Sequence, residues 1–218
     1  MNEILQAHVD KLLPSEDNEE ATKTCSNRRV FFPLCGKTLD MPFVASLSDE
    51  VVGVEGVRQA LEEFAAENPD MKVKSKGVEE GFERFEGEKI TLLRGDFFEL
   101  DETKTNGRFG AVFDRGAFVA IQPAMREKYI DVMGKLIAPG GKILLVTLER
   151  QGKEEAVKSG PPFSVAEAVA RKLYEAQDWV ESLTILQESD QLEKDPEAKQ
   201  RYEGLDKLIE RVFLVQAK

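Results

Sequence analysis

The sequence predicts an α/β protein with a mainly parallel, doubly wound sheet. Short apolar runs of strand length alternate with segments whose apolar side chains recur at helical spacing. The chain has 218 residues, of which 41% are hydrophobic and 33% are charged, a balance typical of a globular protein with a substantial core. Neither internal repeats nor low-complexity segments interrupt this alternation.

The first 28 residues form a separate region in this prediction. Residues 3–13 carry apolar side chains at helical spacing, and Pro14 ends that helix. Residues 15–28 are polar and turn-rich, as in a surface linker. We therefore divide the chain into an N-terminal helix with its linker, residues 1–28, and one α/β domain, residues 29–218.

The domain begins with two apolar runs, residues 30–34 and 51–54, which we interpret as buried parallel strands. Between them lie a glycine loop and an apolar-faced segment of helix length. A second helix follows, because apolar residues recur at the spacing i, i+3, i+4, i+7: Val57, Ala60, Leu61 and Phe64. Residues 68–89 are charged and irregular, and we expect a loop or a short hairpin there.

Three further strands complete the predicted parallel part, at residues 90–93, 109–113 and 142–148. The helix before the last of these begins near Met125 and ends before Pro139, which is followed by two glycines. Ser164 opens another helix, with Glu167 three residues on in the pattern of a capping box. Two final strands, at about residues 180–187 and 211–216, form an antiparallel pair at one edge.

Composition excludes several classes of function. The net charge is −11 and the pI about 4.8, which disfavours binding to nucleic acid or to anionic lipid. No apolar run approaches about 20 residues, so we predict no membrane span. With two cysteines, Cys25 and Cys35, and one histidine, His8, we predict no metal site. Sparse cysteine without a signal peptide indicates a reducing compartment, the cytoplasm.

The ends of the first four strands of the domain carry distinctive groups. In an open parallel sheet, ligands bind beyond the carboxyl ends of the strands. The Leu34–Gly36 loop lets the backbone approach a ligand, and Glu55 can accept hydrogen bonds from ribose hydroxyls. Asp96 suits an adenine amino group, with Phe97 as an apolar wall. The fourth strand ends in Asp114 and Arg115, and Arg115 suits a charged tail. Together these ends predict a nucleoside site.

The loop between the first two strands discriminates among nucleoside ligands. A P-loop needs a glycine five residues before its Gly-Lys pair, and that position holds Phe31. A dinucleotide loop needs three glycines to admit a pyrophosphate, whereas bulky residues surround Gly36. A cofactor with adenosine but no phosphate therefore fits better, and S-adenosylmethionine, with S-adenosylhomocysteine as its product, is our leading candidate.

Four segments, in this order and at these separations, resemble the thiopurine S-methyltransferase family: FFPLCGKTLDM, VVGVE, FDRGAFVAI and GPPF. The resemblance extends from about Arg29 to the C-terminus. It implies a single Rossmann-like class I methyltransferase domain, whose seven-stranded, mostly parallel sheet ends in an antiparallel strand. It also implies an S-adenosylmethionine-dependent enzyme.

By this resemblance, a set of residues falls on cofactor-contacting positions: Leu34, Glu55, Asp96, Phe97 and Arg115. Pro161, Pro162 and Phe163 fall in a segment that walls the acceptor pocket, and Lys199 or Arg201 matches a basic position near the acceptor. Family members also carry an N-terminal segment with tryptophan and phenylalanine that covers the cofactor. Here the only tryptophan is Trp179, so we expect this sequence to begin after that covering segment.

We expect direct methyl transfer to a small aromatic thiol or another soft nucleophile, with a monomeric enzyme. Alignment of the reacting groups supplies much of the barrier reduction, about 7–11 kcal/mol in favourable cases. The candidate catalytic groups are Arg115, which can stabilise a thiolate, and Asp114, which can orient Arg115 or contact water near the acceptor. Cys35 is expected to pack rather than to react, and His8 is expected to be a surface or helix-face residue rather than a catalyst.

Three alternatives remain from the sequence. The first is a halide or small-thiol methyltransferase with the same sheet. The second is a non-catalytic cofactor-binding protein without the covering segment. A dehydrogenase is the weakest, because the glycines that admit a pyrophosphate are absent.

Overall fold

A computed structural model describes residues 1–13 and 27–218, so Pro14, Cys25 and most of the predicted linker lie outside the described residues. The chain divides into two compact units. The first unit comprises Met1–Phe113 and Val132–Lys142, and the second comprises Asp114–Asp131 and Ile143–Lys218. The domain division at residue 28 stays a prediction.

The described residues form α-helices with the following bounds: α1 (Glu3–Leu12), α2 (Asp40–Leu47), α3 (Arg58–Glu67), α4 (Arg126–Leu136), α5 (Glu154–Lys158), α6 (Glu167–Tyr174), α7 (Gln191–Lys194) and α8 (Pro196–Arg201). The strands are β1 (Arg29–Phe32), β2 (Glu50–Glu55), β3 (Lys74–Glu79), β4 (Phe82–Gly87), β5 (Ile90–Arg94), β6 (Phe109–Arg115), β7 (Ile137–Gly152), β8 (Val180–Asp190) and β9 (Leu205–Ala217). None of the helices in this part of the chain is long and apolar enough to cross a membrane.

Strands in the first unit follow the order β3-β4-β5-β2-β1-β6. The β1–β2, β2–β5 and β1–β6 pairs are parallel, which confirms the predicted parallel arrangement. These strands are almost continuously apolar because both of their faces are buried. Phe31 is fully buried, with its ring stacked on Phe109 at 4.9 Å and on Phe97 at 6.4 Å between centroids.

The charged segment 68–89 contains an antiparallel hairpin, β3–β4, that joins the sheet through β5. Its two-residue turn, Glu80-Gly81, has φ angles of 49° and 84°, the positive values of a type I′ turn. Only β4 has an apolar face, with Phe82 and Phe85 buried, whereas β3 is exposed throughout. The hairpin brings the described strands to nine, so the predicted number of seven is wrong.

The second unit contains β7 from Ile143 onward, β9 and β8, in the order β7-β9-β8, and β8 pairs antiparallel with β9. This confirms the predicted antiparallel strands at the C-terminus. A row of aromatic rings packs within the unit. The Phe118 ring lies 5.6 Å from Tyr129 and 5.7 Å from Tyr174, and the Tyr174 ring lies 6.3 Å from Trp179, all measured between centroids.

Two local predictions are wrong in detail. Helix α6 begins at Glu167 after Ala166, and Ser164 accepts a hydrogen bond from the Arg150 N–H instead of capping the helix. Val57 precedes α3 and is 59% exposed, whereas Leu61 and Phe64 form the buried stripe. The role of Ser164 depends on a tertiary hydrogen bond, and the exposure of Val57 depends on the exact start of α3. The spacing of residues along the sequence specifies neither.

Candidate functional site

The loop after β1 adopts a backbone that few residues tolerate. Leu34 has a φ of 44° and Gly36 a φ of 53°, both in the left-handed region. A left-handed leucine costs free energy, and such conformations concentrate at functional sites. The Cys35 N–H donates to the Val54 carbonyl at 2.9 Å, which fixes the loop against the end of β2. A Cβ at residue 36 would have no heavy atom within 4 Å, so this turn leaves open space above it.

Glu55 organises this edge of the sheet. One of its carboxylate oxygens accepts from the Gly36 N–H at 2.9 Å, and the other accepts from the Val57 N–H at 2.9 Å. The side chain is half-buried, and each oxygen keeps a second lone pair for another donor. Glu55 therefore lies at the carboxyl end of β2 in a fixed orientation, where hydroxyl groups can reach it.

Cys35 is a packing residue. Its side chain is 7% exposed, and a Cβ on Gly53 would lie 2.7 Å from its sulfur. Burial, and then the charge of Glu55, raise the pKa of the Cys35 thiol far above its ordinary value. Because the thiolate is the reactive form, this thiol is not an activated nucleophile.

Asp96 and Phe97 follow the end of β5 and differ in exposure. The Asp96 carboxylate is exposed, and one of its oxygens accepts from the Phe98 N–H at 2.9 Å. The Phe97 ring is 2% exposed and packs on Phe31. The Gly95 N–H donates to the Glu55 carbonyl at 3.1 Å, which brings the ends of β2 and β5 together.

The groups at this edge fit an adenosine-containing cofactor. Two carboxylates, Glu55 and Asp96, can accept from ribose hydroxyls and from an amino group. The loop after β1 holds no glycine-rich cradle for phosphates, and its lysine, Lys37, is paired with Glu63 and Glu67 at 2.9 and 2.7 Å. The described residues contain no cluster of three side chains that could bind a metal ion.

Asp114 is a buried acidic residue in the second unit. Its side chain is 0% exposed, and it accepts from the Tyr129 hydroxyl at 2.7 Å and from the Phe118 N–H at 3.0 Å. Burial raises the pKa of Asp114 to about 6, although these hydrogen bonds oppose the rise. The carboxylate thus fixes the turn after β6.

Arg115 lines a cavity of about 410 Å³ that lies wholly within the second unit. The walls combine apolar side chains with a few polar ones: Arg115, Gly116, Val119, Ala120, Val146, Leu148, Pro161, Pro162, Tyr202 and Glu210. This size and this mixture are typical of pockets for small organic ligands. Asp114 lies next to Arg115 in sequence but is not part of the lining.

Glu210 and Tyr202 are cavity residues that the sequence prediction missed. Glu210 is half-buried on β9, and the Gln191 amide donates to its carboxylate at 2.9 Å. Burial raises the pKa of Glu210, while the charges of Arg115 and Lys194 lower it by less. Tyr202 follows directly after Arg201, so the segment predicted to lie near the acceptor already includes it. Glu210 has no such signal, because its relation to Arg115 is long-range.

The other predicted acceptor residues lie in different surroundings. Pro161 and Pro162 line the cavity, whereas Phe163 does not; its N–H donates to the Val119 carbonyl at 2.6 Å. Lys199 is exposed on α8 and lines neither this cavity nor a neighbouring one. Arg201 pairs with Asp195 at 2.8 Å and lines the neighbouring cavity.

Residues 6–218 match the family model described as thiopurine S-methyltransferase. A thiopurine S-methyltransferase of Methylococcus capsulatus is 35% identical, over 87% of this chain and 81% of its own length. A probable thiopurine S-methyltransferase of Danio rerio is 32% identical, over 100% of this chain and 87% of its own length.

Solved structures resemble the fold at low identity. The phosphoethanolamine N-methyltransferase 2 of Haemonchus contortus, in complex with S-adenosyl-L-methionine, superposes with a TM-score of 0.65 and 13% identity. The match covers 97% of this chain and 51% of the other. At this identity the likeness shows the α/β methyltransferase fold alone.

Proposed function

The chain belongs to the thiopurine S-methyltransferase family, and from this membership we propose that it methylates the sulfur of a small aromatic thiol bound in the cavity of the second unit. The protein is an S-adenosylmethionine-dependent methyltransferase. The observation that carries the proposed acceptor is the 410 Å³ cavity, in which Arg115 and Glu210 accompany apolar and aromatic walls. Its size suits one or two rings.

The cavity residues have distinct roles in this proposal. The Arg115 guanidinium attracts the thiolate form of the acceptor, the form that reacts. Glu210 accepts the proton of a thiol that arrives neutral, since its raised pKa brings it closer to the operating pH. Asp114 touches no ligand in this scheme. It positions Arg115 through the turn that it holds at the Phe118 N–H.

The first unit supplies the cofactor site in this proposal. S-adenosylmethionine, when bound, would supply an electrophilic sulfonium methyl group to the acceptor sulfur, with S-adenosylhomocysteine as the leaving group. Glu55 binds ribose hydroxyls, Asp96 binds the adenine amino group, and the Leu34–Gly36 loop presents its backbone to the cofactor. Phe97 supports this edge from the core, through its contact with Phe31. The assignment of Arg115 to the cofactor, rather than to the acceptor alone, stays a prediction.

Cofactor binding is tested by titration calorimetry with S-adenosylhomocysteine. Each hydrogen bond to a charged group contributes about 1.5–3 kcal/mol, so Glu55→Ala should weaken binding by about 10- to 100-fold. Glu55→Gln, which keeps one carbonyl acceptor, should be intermediate. Glu88→Ala is the matched control, because it removes an equal charge from an exposed pair with Lys72 in the same unit.

Absence of binding by the wild-type chain would contradict the cofactor assignment. Equal affinity of the Glu55 and Glu88 variants would contradict the role of Glu55 and leave the family assignment intact.

The acceptor is tested by product analysis with thiophenol, a thiopurine, hydrogen sulfide and iodide in parallel. We expect turnover of the aromatic thiols to exceed turnover of the other two. A preference for iodide or sulfide would instead favour the halide or small-thiol methyltransferase. We also propose a monomer in the cytoplasm; sedimentation and cell fractionation test these two points.

A further inference from the structure

A second cavity, of about 350 Å³, adjoins the first within the second unit. Both cavities are lined by Pro161, Pro162 and Tyr202, which therefore border them on a shared side. The second cavity is otherwise lined by four polar or charged side chains and by two apolar ones: Arg150, Ser159, Arg201, Glu203, Ala156 and Leu205. A ligand in the first cavity thus has a cationic neighbour beyond Tyr202.

Arg150 is a buried cation that pairs with no carboxylate in the part of the chain that the structure describes. Its side chain belongs to a residue that is 7% exposed, and its guanidinium donates to the Ala156 carbonyl at 3.1 Å and to the Ser159 hydroxyl. Its Nε–H is buried and has no partner among the described residues. A buried charge is normally paired, because its desolvation costs free energy that neutral acceptors recover only in part.

Arg126 is a second buried arginine, but its surroundings differ from those of Arg150. It is also buried and donates to the carbonyls of Phe163 and Ser164. Arg126 lines neither cavity, however, whereas Arg150 lines the second. An external anion can therefore reach the surroundings of Arg150 and supply the missing counter-charge.

The neighbours of Arg150 favour an anion as well. Arg201 adds a second guanidinium, and its exposed pair with Asp195 is weak enough for an anion to compete with Asp195. Glu203 is the one acid in the lining, and it is exposed. The Arg150 guanidinium lies 5.4 Å from the centroid of the Tyr202 ring, the same ring that lines the first cavity. This cation–π contact connects the two cavities.

We propose that the second cavity binds an oxyanion group, a carboxylate or a phosphate, with Arg150 and Arg201 as its recognition residues. Its preferred source is a substituent on the aromatic acceptor, whose ring lies on the Tyr202 side of the first cavity. The preferred acceptor is therefore an anionic aromatic thiol. The choice of acceptor rests on the proposed function, whereas the anion site itself does not.

The first arm of the test compares thiophenol with its meta and para carboxylates, 3- and 4-mercaptobenzoate. We expect the wild-type kcat/KM to favour one of the carboxylates. Arg150→Gln should reduce that preference by about 10- to 100-fold, the contribution expected of a hydrogen bond to a charged group. Arg201→Gln, at an exposed position that does not threaten folding, should reduce it by a smaller factor.

The second arm titrates inorganic phosphate into the protein by calorimetry, with thermal unfolding of each variant as a check on folding. Arg171→Gln is the matched control. It removes an ion-paired arginine from the same unit, where Arg171 pairs with Glu167 and Glu175 and lines neither cavity. This control should retain both the carboxylate preference and any phosphate affinity.

The two arms distinguish an anion carried by the acceptor from a separate anion, and they distinguish failure of the anion site from failure of the proposed methyl transfer. A carboxylate preference that Arg150→Gln abolishes places the anion on the acceptor. Phosphate binding that Arg150→Gln abolishes, without a carboxylate preference, identifies a separate anion and overturns the acceptor class. No phosphate binding and equal preference in all variants overturns the site. Failure to methylate any thiol refutes the proposed function instead, and the phosphate titration still decides the anion site.

Discussion

Replacement of Asp114 by asparagine should change how the stability of the protein depends on pH. The Asp114 carboxyl is fully buried, and its pKa is raised from 3.8 to about 6 because burial disfavours the charged form. The folded state therefore holds this proton more tightly than the unfolded state. The resulting stabilisation is fully present below pH 3.8 and is lost as the pH rises through about 6. Asparagine keeps an oxygen for the Phe118 N–H but does not titrate.

The magnitude follows from the size of the shift. A difference of about two pKa units corresponds to about 3 kcal/mol over the whole titration, at about 1.4 kcal/mol per unit. Between pH 4.5 and pH 7.5, the titration curves of Asp114 in the folded and unfolded states account for about 2 kcal/mol of this difference. The free energy of unfolding of the wild type, relative to Asp114→Asn, should thus fall by about 2 kcal/mol over this range.

Urea denaturation followed by far-UV circular dichroism at both pH values measures this difference. Comparison of the two proteins at the same pH cancels the other carboxyl groups, some of which, such as Asp101, have lowered pKa values and act in the opposite direction. Asp178→Asn provides the control for the chemical change at an exposed position. A pH-independent difference between wild type and Asp114→Asn would refute the assignment of a raised pKa to Asp114.

Three further changes probe the candidate site. Gly36→Ala meets no steric obstacle but forces a left-handed alanine, so urea denaturation should show a loss of about 1–2 kcal/mol in unfolding free energy; an unchanged value would contradict the observed φ. Glu210→Gln should lower kcat/KM more for a weakly acidic alkyl thiol than for thiophenol and should remove the acid limb of the alkyl-thiol pH profile; equal losses would exclude a proton-accepting role. Tyr202→Ala should raise KM for thiophenol by about 3- to 10-fold, as expected for the loss of an aromatic pair, whereas Tyr202→Phe should not; equal effects would assign the change to the hydroxyl.

The sequence predicts the parallel strands well because their signal is local. The runs at residues 30–34, 51–54 and 90–93 are short and apolar, and each is followed within two residues by a glycine or an acid that the structure places at one edge of the first unit. Glu55 is recognisable for the same reason: it lies at the end of a strand, next in space to a glycine loop. Helices α3 and α4 likewise follow their apolar stripes.

Long-range pairs limit the prediction of the rest. The charged hairpin β3–β4 has an apolar face on β4 only, so the spacing of apolar residues does not distinguish this hairpin from a loop. Ser164 matches a capping box in its local sequence, yet its hydroxyl accepts a hydrogen bond from the backbone N–H of Arg150, which lies outside the helix. Arg150 and Glu210 lie just outside the predicted strands, residues 142–148 and 211–216, although the structure includes them in β7 and β9. Their role depends on which residues the fold places opposite them.

The row of rings from Phe118 to Trp179 also determines what optical experiments can observe. The single tryptophan and all three tyrosines, Tyr129, Tyr174 and Tyr202, belong to the second unit, whereas the first unit contributes only phenylalanines. Intrinsic emission excited near 280 nm therefore reports on the second unit alone. Loss of tryptophan emission at a lower urea concentration than loss of far-UV ellipticity would reveal separate unfolding of that unit. A chromophore introduced into the first unit would make the other half of the chain visible.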